Sequence, residues 1–400
     1  MKPVVALALA LGVAACGTPS ERTPAAPPAQ THDLADVVGF SEIRTFFDGS
    51  FDRSTAEVQA LIVEQRQTDP ADRDFNILVL SGGGADGAYG AGLLKGWTEH
   101  GDRPEFDVVT GVSTGALIAP FAFLGPDYDD ETEAFYTQIN TEDVLDFTIV
   151  SAIFGGTAVA DTAPLRAILA DVVDPDFVAK IAAEHQRGRR LLIATTNLDS
   201  QRPVIWDIGA IAVTASPEAP ALIQSIMLAS ASIPGAFPPV LIDVEIDGQR
   251  YQEMHVDGGV TLSLFTYPPS VNVGEVIDLI GVPRERRNLY IIRNAKLQPE
   301  YDAQQLALLP IAQRSISTLI KSQTIGNILT AEQTAARDGL NIQLAFVPDS
   351  FNEPAEELFD PVYMRKLFDL GYREAREGYP WGGSLIDFIR RGEQPTNLDG

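Results

Sequence analysis

Along this chain, short apolar runs closed by turn-forming residues alternate with longer stretches of helical periodicity. Asp74 to Leu80 (DFNILVL) reads as a buried strand. Ala88 to His100 reads as a helix ended by Gly101 as its C-cap. Further strands are predicted for Phe106 to Thr110, Arg190 to Thr196, Arg202 to Ile208, Asn288 to Arg293 and Leu340 to Val347. Val240 to Ile246 and Gln249 to Val256 flank Asp247-Gly248, a hairpin signal. Ala116 to Leu124 is apolar throughout, as a buried helix is. Helices are also predicted within 127–190, with acidic faces, and at Ala221 to Ser230, 303–337 and 360–377. Another helical pattern runs from Leu34 to Gln67, giving an N-terminal helical segment over 32–73. Alternating strands and helices are what a parallel α/β sheet requires, so the predicted fold is α/β with a mostly parallel sheet over 74–400.

Composition narrows the function classes. The 400 residues are 45% hydrophobic, enough for a large core. Lys plus Arg is 29 against 55 Asp plus Glu, a net charge of −26. So acidic a chain is unsuited to a nucleic-acid backbone or to a polybasic grip on anionic lipid. The one cysteine precludes an intramolecular disulfide, and the four histidines (His32, His100, His185, His255) are scattered. With no HExxH or CxxC pattern, no metal site and no cofactor are expected.

That single cysteine sits where it carries information. In residues 1–16 (MKPVVALALALGVAAC), Lys2 precedes an apolar stretch from Val4 to Val13. The stretch is too short to span a bilayer comfortably and is of the signal-peptide kind. Val13-Ala14-Ala15-Cys16 resembles the bacterial lipobox. The resemblance implies removal of a 1–15 signal peptide, lipidation of Cys16 and anchoring in an inner or outer envelope membrane. Several acyl chains on one cysteine suffice for stable anchoring. An ordinary signal peptide with a chance cysteine is the alternative. The Pro-, Ala- and Thr-rich stretch that follows, to Thr31, reads as an extended tether that does not pack.

The strand ending at Leu80 runs into SGGGADGAYGAG and then a helix. Glycines there bring backbone N–H groups close to a ligand, and a helix N-terminus favours negative charge. No Gly-Lys-Ser/Thr follows, which excludes a P-loop. Gly82, Gly84 and Gly87 satisfy GxGxxG, with Asp107 suitably placed for a dinucleotide site. The next strand points elsewhere. It ends in Gly111-Val112-Ser113-Thr114-Gly115, a GxSxG between strand and helix, the context of a nucleophile elbow. Glycines two before and two after Ser113 remove Cβ atoms that would clash in so sharp a turn.

A serine nucleophile needs a base. No histidine lies near the C-terminus, where an α/β-hydrolase would place it. His255 is one candidate base. Asp257, in Asp257-Gly258-Gly259 at the end of a predicted strand, is the other, and the same residues also fit a common tight turn.

Taken together, Gly82-Gly83-Gly84-Ala85-Asp86-Gly87, Gly111 to Gly115 and Asp257-Gly258-Gly259 resemble, in order, the motifs of the patatin-like phospholipases. LLIATTNLDS at 191–200 and ASASIPGAFPPV at 229–240 add to the likeness, which covers roughly 75–300. The resemblance implies a three-layer α/β/α sandwich and a lipid acyl hydrolase. It implies a Ser113–Asp257 dyad, an oxyanion hole from Gly82, Gly83 and Gly84, and supporting roles for Gly87, Gly111, Gly115, Gly258 and Gly259. The implied partner is a lipid or other ester, and no protein partner is indicated. Family members usually carry Arg or Lys where this chain has Asp86. A carboxylate pointing inward there would repel an oxyanion. A catalytically silent envelope protein that keeps the fold is the alternative reading.

Overall fold

Phe75–Leu80 (β3) is buried along its whole length because both its faces are covered. Phe75, Ile77 and Val79 enter one core with Ile277, Ile328, Ala331 and Ala335. Leu78 and Leu80 enter a second core with Leu93, Ile118, Leu367 and Phe368. An apolar run without alternation is what a central strand between two helical layers requires. The computed structural model describes residues 22–48, 73–145, 161–269 and 271–385. The proposed signal peptide and Cys16 lie outside the described residues.

Among the described residues, ten strands form one sheet. They are β1 Asp36–Val37, β2 Arg44–Phe46, β3, β4 Val108–Val112, β5 Arg190–Asn197, β6 Arg202–Asp207, β7 Val240–Ile246, β8 Gln249–Asp257, β9 Arg287–Arg293 and β10 Asn341–Phe346. The order is β1-β7-β8-β5-β4-β3-β9-β10, with β6 beside β5 and β2 beside β6. Strands β10, β9, β3, β4 and β5 are mutually parallel. The remaining pairings are antiparallel, so the sheet is mixed rather than mostly parallel. The hairpin explains part of the difference: Asp247 and Gly248 both have positive φ (50° and 79°), the conformation of a tight two-residue turn.

The helices used below are α1 Gly87–His100, α2 Thr114–Leu124, α3 Asp129–Gln138, α4 Pro175–Gln186, α5 Ala219–Ser230, α6 Val273–Leu279, α7 Leu308–Asp338 and α8 Pro361–Arg376. Helices α6 and α7 supply the core under one face of β3, and α1, α2 and α8 the core under the other, making three layers. Gly101 ends α1 in the left-handed conformation, as its sequence position predicts. No described helix is long and apolar enough to cross a membrane.

Two expectations for the N-terminal region are corrected. The described part of the 34–67 pattern forms the short strands β1 and β2 rather than a helix, and the rest lies outside the described residues. Unpaired edges at β7 and β6 offer backbone partners there, and sheet pairing overrides local helical periodicity. The described part of the tether packs instead of running free. Ala25 O accepts the Gln252 N–H at 2.9 Å, on a stretch of β8 that β5 does not reach. The Arg22 guanidinium pairs with Asp199 at 2.5 Å.

Candidate active site

The carboxyl ends of three neighbouring parallel strands deliver the central residues. Leu80 sits opposite Gly111 on one side and Ile292 on the other. Beyond those positions the chain leaves β3 as the glycine loop, β4 as Ser113 and β9 as Asn294. The crevice at strand carboxyl ends is the usual ligand site of open α/β sheets.

Strand β5 then acts as a ruler. Its Ala194 pairs with Val112 of β4, and its next residue, Thr195, pairs with Asp257 of β8. Strand β6 occupies the other edge of β5 over both positions. Hence β4 and β8 lie on the same edge of β5 and meet end to end, bringing Ser113 and Asp257 together. Gly258 makes that meeting possible, because a Cβ there would lie 2.6 Å from Ala194 O and 2.9 Å from a Val112 methyl.

Ser113 has φ 55° and ψ −125°, a conformation that L-residues rarely adopt. The surrounding contacts hold it there. Its N–H donates to Ser230 Oγ at 3.0 Å, and that hydroxyl donates to Ala194 O at 2.7 Å. Glycine is needed on both sides: a Cβ on Gly115 would stand 2.2 Å from Leu80 O, and one on Gly111 2.5 Å from Gly115 O. A Cβ on Gly87 would meet Thr114 Oγ1 at 2.2 Å, so the start of α1 rests directly on the elbow.

Asp257 is 3% exposed and Ser113 6%. The Asp257 N–H donates to Ser232 O at 2.9 Å, and its Oδ1 accepts from the Gly259 N–H at 2.7 Å. Oδ2 is buried with no hydrogen-bond partner. The Ser113 hydroxyl lies near enough to favour the charged carboxylate, though it makes no hydrogen bond of full geometry to it. Catalytic hydrogen bonds are often this loose in the absence of substrate. Burial dominates over both hydrogen-bond donors and lifts the Asp257 carboxyl from 3.8 to about 7.

The glycine loop differs from expectation at one position. The Gly82 N–H donates to Ser263 O at 3.0 Å and is therefore not an open donor. The N–H groups of Gly83 and Gly84 donate to no carbonyl of the described residues. Each belongs to a peptide unit whose carbonyl is held from behind. Ser81 Oγ donates to Gly82 O at 2.8 Å, and the Asp86 N–H to Gly83 O at 3.2 Å. Because a trans peptide sets C=O and N–H on opposite sides, gripping the carbonyl aims the N–H. Asn294 completes the brace: its N–H donates to Ser81 Oγ and its amide to Ser81 O, both at 2.9 Å, while its Oδ1 accepts from the Gly90 N–H at 3.1 Å. A Cβ at Gly83 would fall 1.9 Å from Asn294 O.

His255 is not part of this arrangement. It is fully buried, with Nε2 3.1 Å from Glu253 Oε2 and Nδ1 2.9 Å from Thr195 Oγ1. Trp206 Nε1 donates to that same hydroxyl at 2.8 Å. Burial holds the His255 imidazole below its ordinary range, against the pull of Glu253. Burial also opposes charge on Glu253, but Arg44 and His255 together hold its carboxyl at about 2. Asp107, the residue a dinucleotide would need, precedes β4 at the opposite end of the strand from the glycine loop. It accepts from the Asn76 N–H at 2.8 Å and pairs with Arg73 at 3.1 Å, which removes that reading.

Ser81, Ser230, Ser263 and Asn294 were not singled out from sequence. Ser230 lies inside the ASASIPGAFPPV stretch, so a signal existed for it. Asn294 follows a predicted strand, and nothing in its neighbourhood marks it. No group of metal-binding side chains occurs among the described residues.

The family model described as patatin-like phospholipase matches residues 78–267, from β3 through the segment after the Asp-Gly-Gly turn. Over these residues the chain is similar to the patatin-like phospholipase family. No curated protein matches the chain. Among solved structures, VipD from Legionella pneumophila is similar over 77% of this chain and 67% of its own, at 12% identity and a TM-score of 0.39. A likeness at that level carries no argument here.

Proposed function

We propose that this protein is a serine acyl-ester hydrolase of lipid esters, working through a Ser113–Asp257 dyad and held at a bacterial envelope membrane by a lipidated Cys16. The substrate class covers phospholipids, lysophospholipids and simpler carboxylic esters. The observation that carries the reading is the end-to-end meeting of β4 and β8 along β5, which sets a strained serine against a carboxylate with one oxygen unpartnered.

In this mechanism Asp257 takes the Ser113 proton as Oγ attacks the ester carbonyl. The N–H groups of Gly83 and Gly84 receive the oxyanion, and one such donor is worth ~3 kcal/mol in the transition state. As the intermediate collapses, protonated Asp257 returns the proton to the leaving oxygen, and the alcohol or lysolipid departs from the acylated Ser113. Asp257 then activates a water that releases the fatty acid and restores Ser113. An aspartate near its ordinary value would be a weak base, and the value of about 7 suits it to proton transfer at neutral pH.

A fluorophosphonate probe tests the reading directly. The wild type is expected to be labelled on the peptide containing Ser113 and to turn over a medium-chain nitrophenyl ester. A protein that neither labels nor turns over ester is the silent scaffold instead. For the anchor, palmitate incorporation in cells is expected for the full chain and not for Cys16→Ser. Equal incorporation by both would remove the lipoprotein proposal.

A further inference from the structure

The glycine loop is braced from one side by Ser81 and Asn294, and from the other by a helix outside the matched residues 78–267. Tyr363, in the first turn of α8, donates its hydroxyl to Asp86 Oδ1 at 2.6 Å. Asp86 in turn donates its N–H to Gly83 O, the carbonyl of the peptide unit that carries the Gly84 N–H. We propose that Tyr363 and Asp86 form a positioning pair that aims the Gly84 N–H at the oxyanion. The inference rests on the hydrolase reading above and extends it to α8.

Three observations support this role. First, the Asp86 carboxylate is engaged by Tyr363, which accounts for an acidic residue being tolerated in the loop. Second, α8 is a rigid platform. It meets α1 backbone to backbone, since a Cβ on Gly92 would lie 2.1 Å from Phe368 O, one on Gly96 2.1 Å from Tyr372 O, and one on Gly371 2.4 Å from Tyr89 O. Helix α8 also reaches α3, where Arg365 pairs with Glu133 at 2.7 Å. A tyrosine on such a support holds its partner within narrow limits. Third, the charges around Asp86 come from elsewhere in the fold. Burial raises its carboxyl to about 6, while the Tyr363 hydrogen bond and the Lys296 and Arg293 charges oppose that rise and Glu300 adds to it. Reciprocally, burial brings Arg293 down to about 10 against the pull of Asp86. At neutral pH the carboxylate is therefore largely ionised and accepts the tyrosine proton as a charge-assisted bond.

The test is a double-mutant cycle on ester turnover, with melting temperature followed alongside. Tyr363→Phe and Asp86→Ala are each expected to lower kcat about tenfold with KM within about twofold, and the double variant no further than the weaker single. Asp86→Asn keeps an acceptor for the Tyr363 hydroxyl and is expected to recover most of the loss. Unchanged kcat in both singles, independent losses that multiply, or failure of Asp86→Asn to recover activity would each overturn the proposal while leaving the dyad intact. A wild type that labels at Ser113 but turns over no ester would overturn both.

Discussion

Ser113→Ala is expected to lose fluorophosphonate labelling completely and ester turnover by about 10⁴–10⁶-fold, as removal of a serine nucleophile does. Ser113→Gly should lose as much activity and yet melt higher than the wild type. The elbow holds a non-glycine residue at φ 55° and ψ −125°, and strain of that kind costs about 1–3 kcal/mol. Glycine relieves it and gives back roughly 0.5–1 kcal/mol in chain entropy. The net expectation is a gain of about 1 kcal/mol, read as a rise of ~1–3 °C in melting temperature. Alanine keeps the strain and should gain little. Labelling that persists in Ser113→Ala would place the nucleophile elsewhere. A glycine variant no more stable than alanine would remove the strain argument while leaving the chemistry standing.

Asp257→Asn is expected to behave as its mirror image in pH. Turnover should fall by about 10³-fold or more, since the amide accepts no proton. In the wild type, kcat/KM should rise with pH through a midpoint near 7, because only ionised Asp257 serves as base. Stability runs the opposite way. The folded value of about 7 lies above the ordinary 3.8, so the stabilisation from holding this proton is full below about 4 and is lost as pH rises through 7. The asparagine variant does not titrate there. It should match the wild type near pH 4 and exceed it at pH 8–9 by up to ~4 kcal/mol. Urea midpoints across that range measure the difference. Equal pH dependence in the two proteins would mean that Asp257 ionises near its ordinary value. Activity surviving in Asp257→Asn but lost in His255→Ala would assign the base to His255.

The parallel strands and the buried helix α2 were legible because their apolar patterns are local and continuous. The elbow was legible because glycine spacing reports directly on a backbone conformation. The Asp247-Gly248 turn was legible for the same reason. What misled was the segment from Leu34, where a helical pattern ends as two short strands. Their partners at β7 and β6 lie far along the chain, Asp36 pairing with Glu245 and Arg44 with Trp206, and no local pattern reports on them. Gly82 was assigned as a donor on its motif, but its N–H is spent on Ser263 O, a contact from a segment distant in sequence.

By itself, the sequence determined which groups could react. Ser113 sits in a turn that only flanking glycines permit, and Asp257 precedes two glycines at a strand end. A glycine loop opens the helix that follows β3. These features depend on covalent spacing and backbone sterics, which act over a few residues. Tertiary structure alone decided which candidate base faces the serine and which N–H groups remain open. His255 and Asp257 are two residues apart, yet Glu253 and Thr195 enclose one while the register of β5 presents the other to Ser113. The same holds for Asp86, whose carboxylate is engaged by a tyrosine 277 residues away. Charge and hydrogen bonding act through space, so a residue's chemistry is set by neighbours that its own stretch of sequence does not contain.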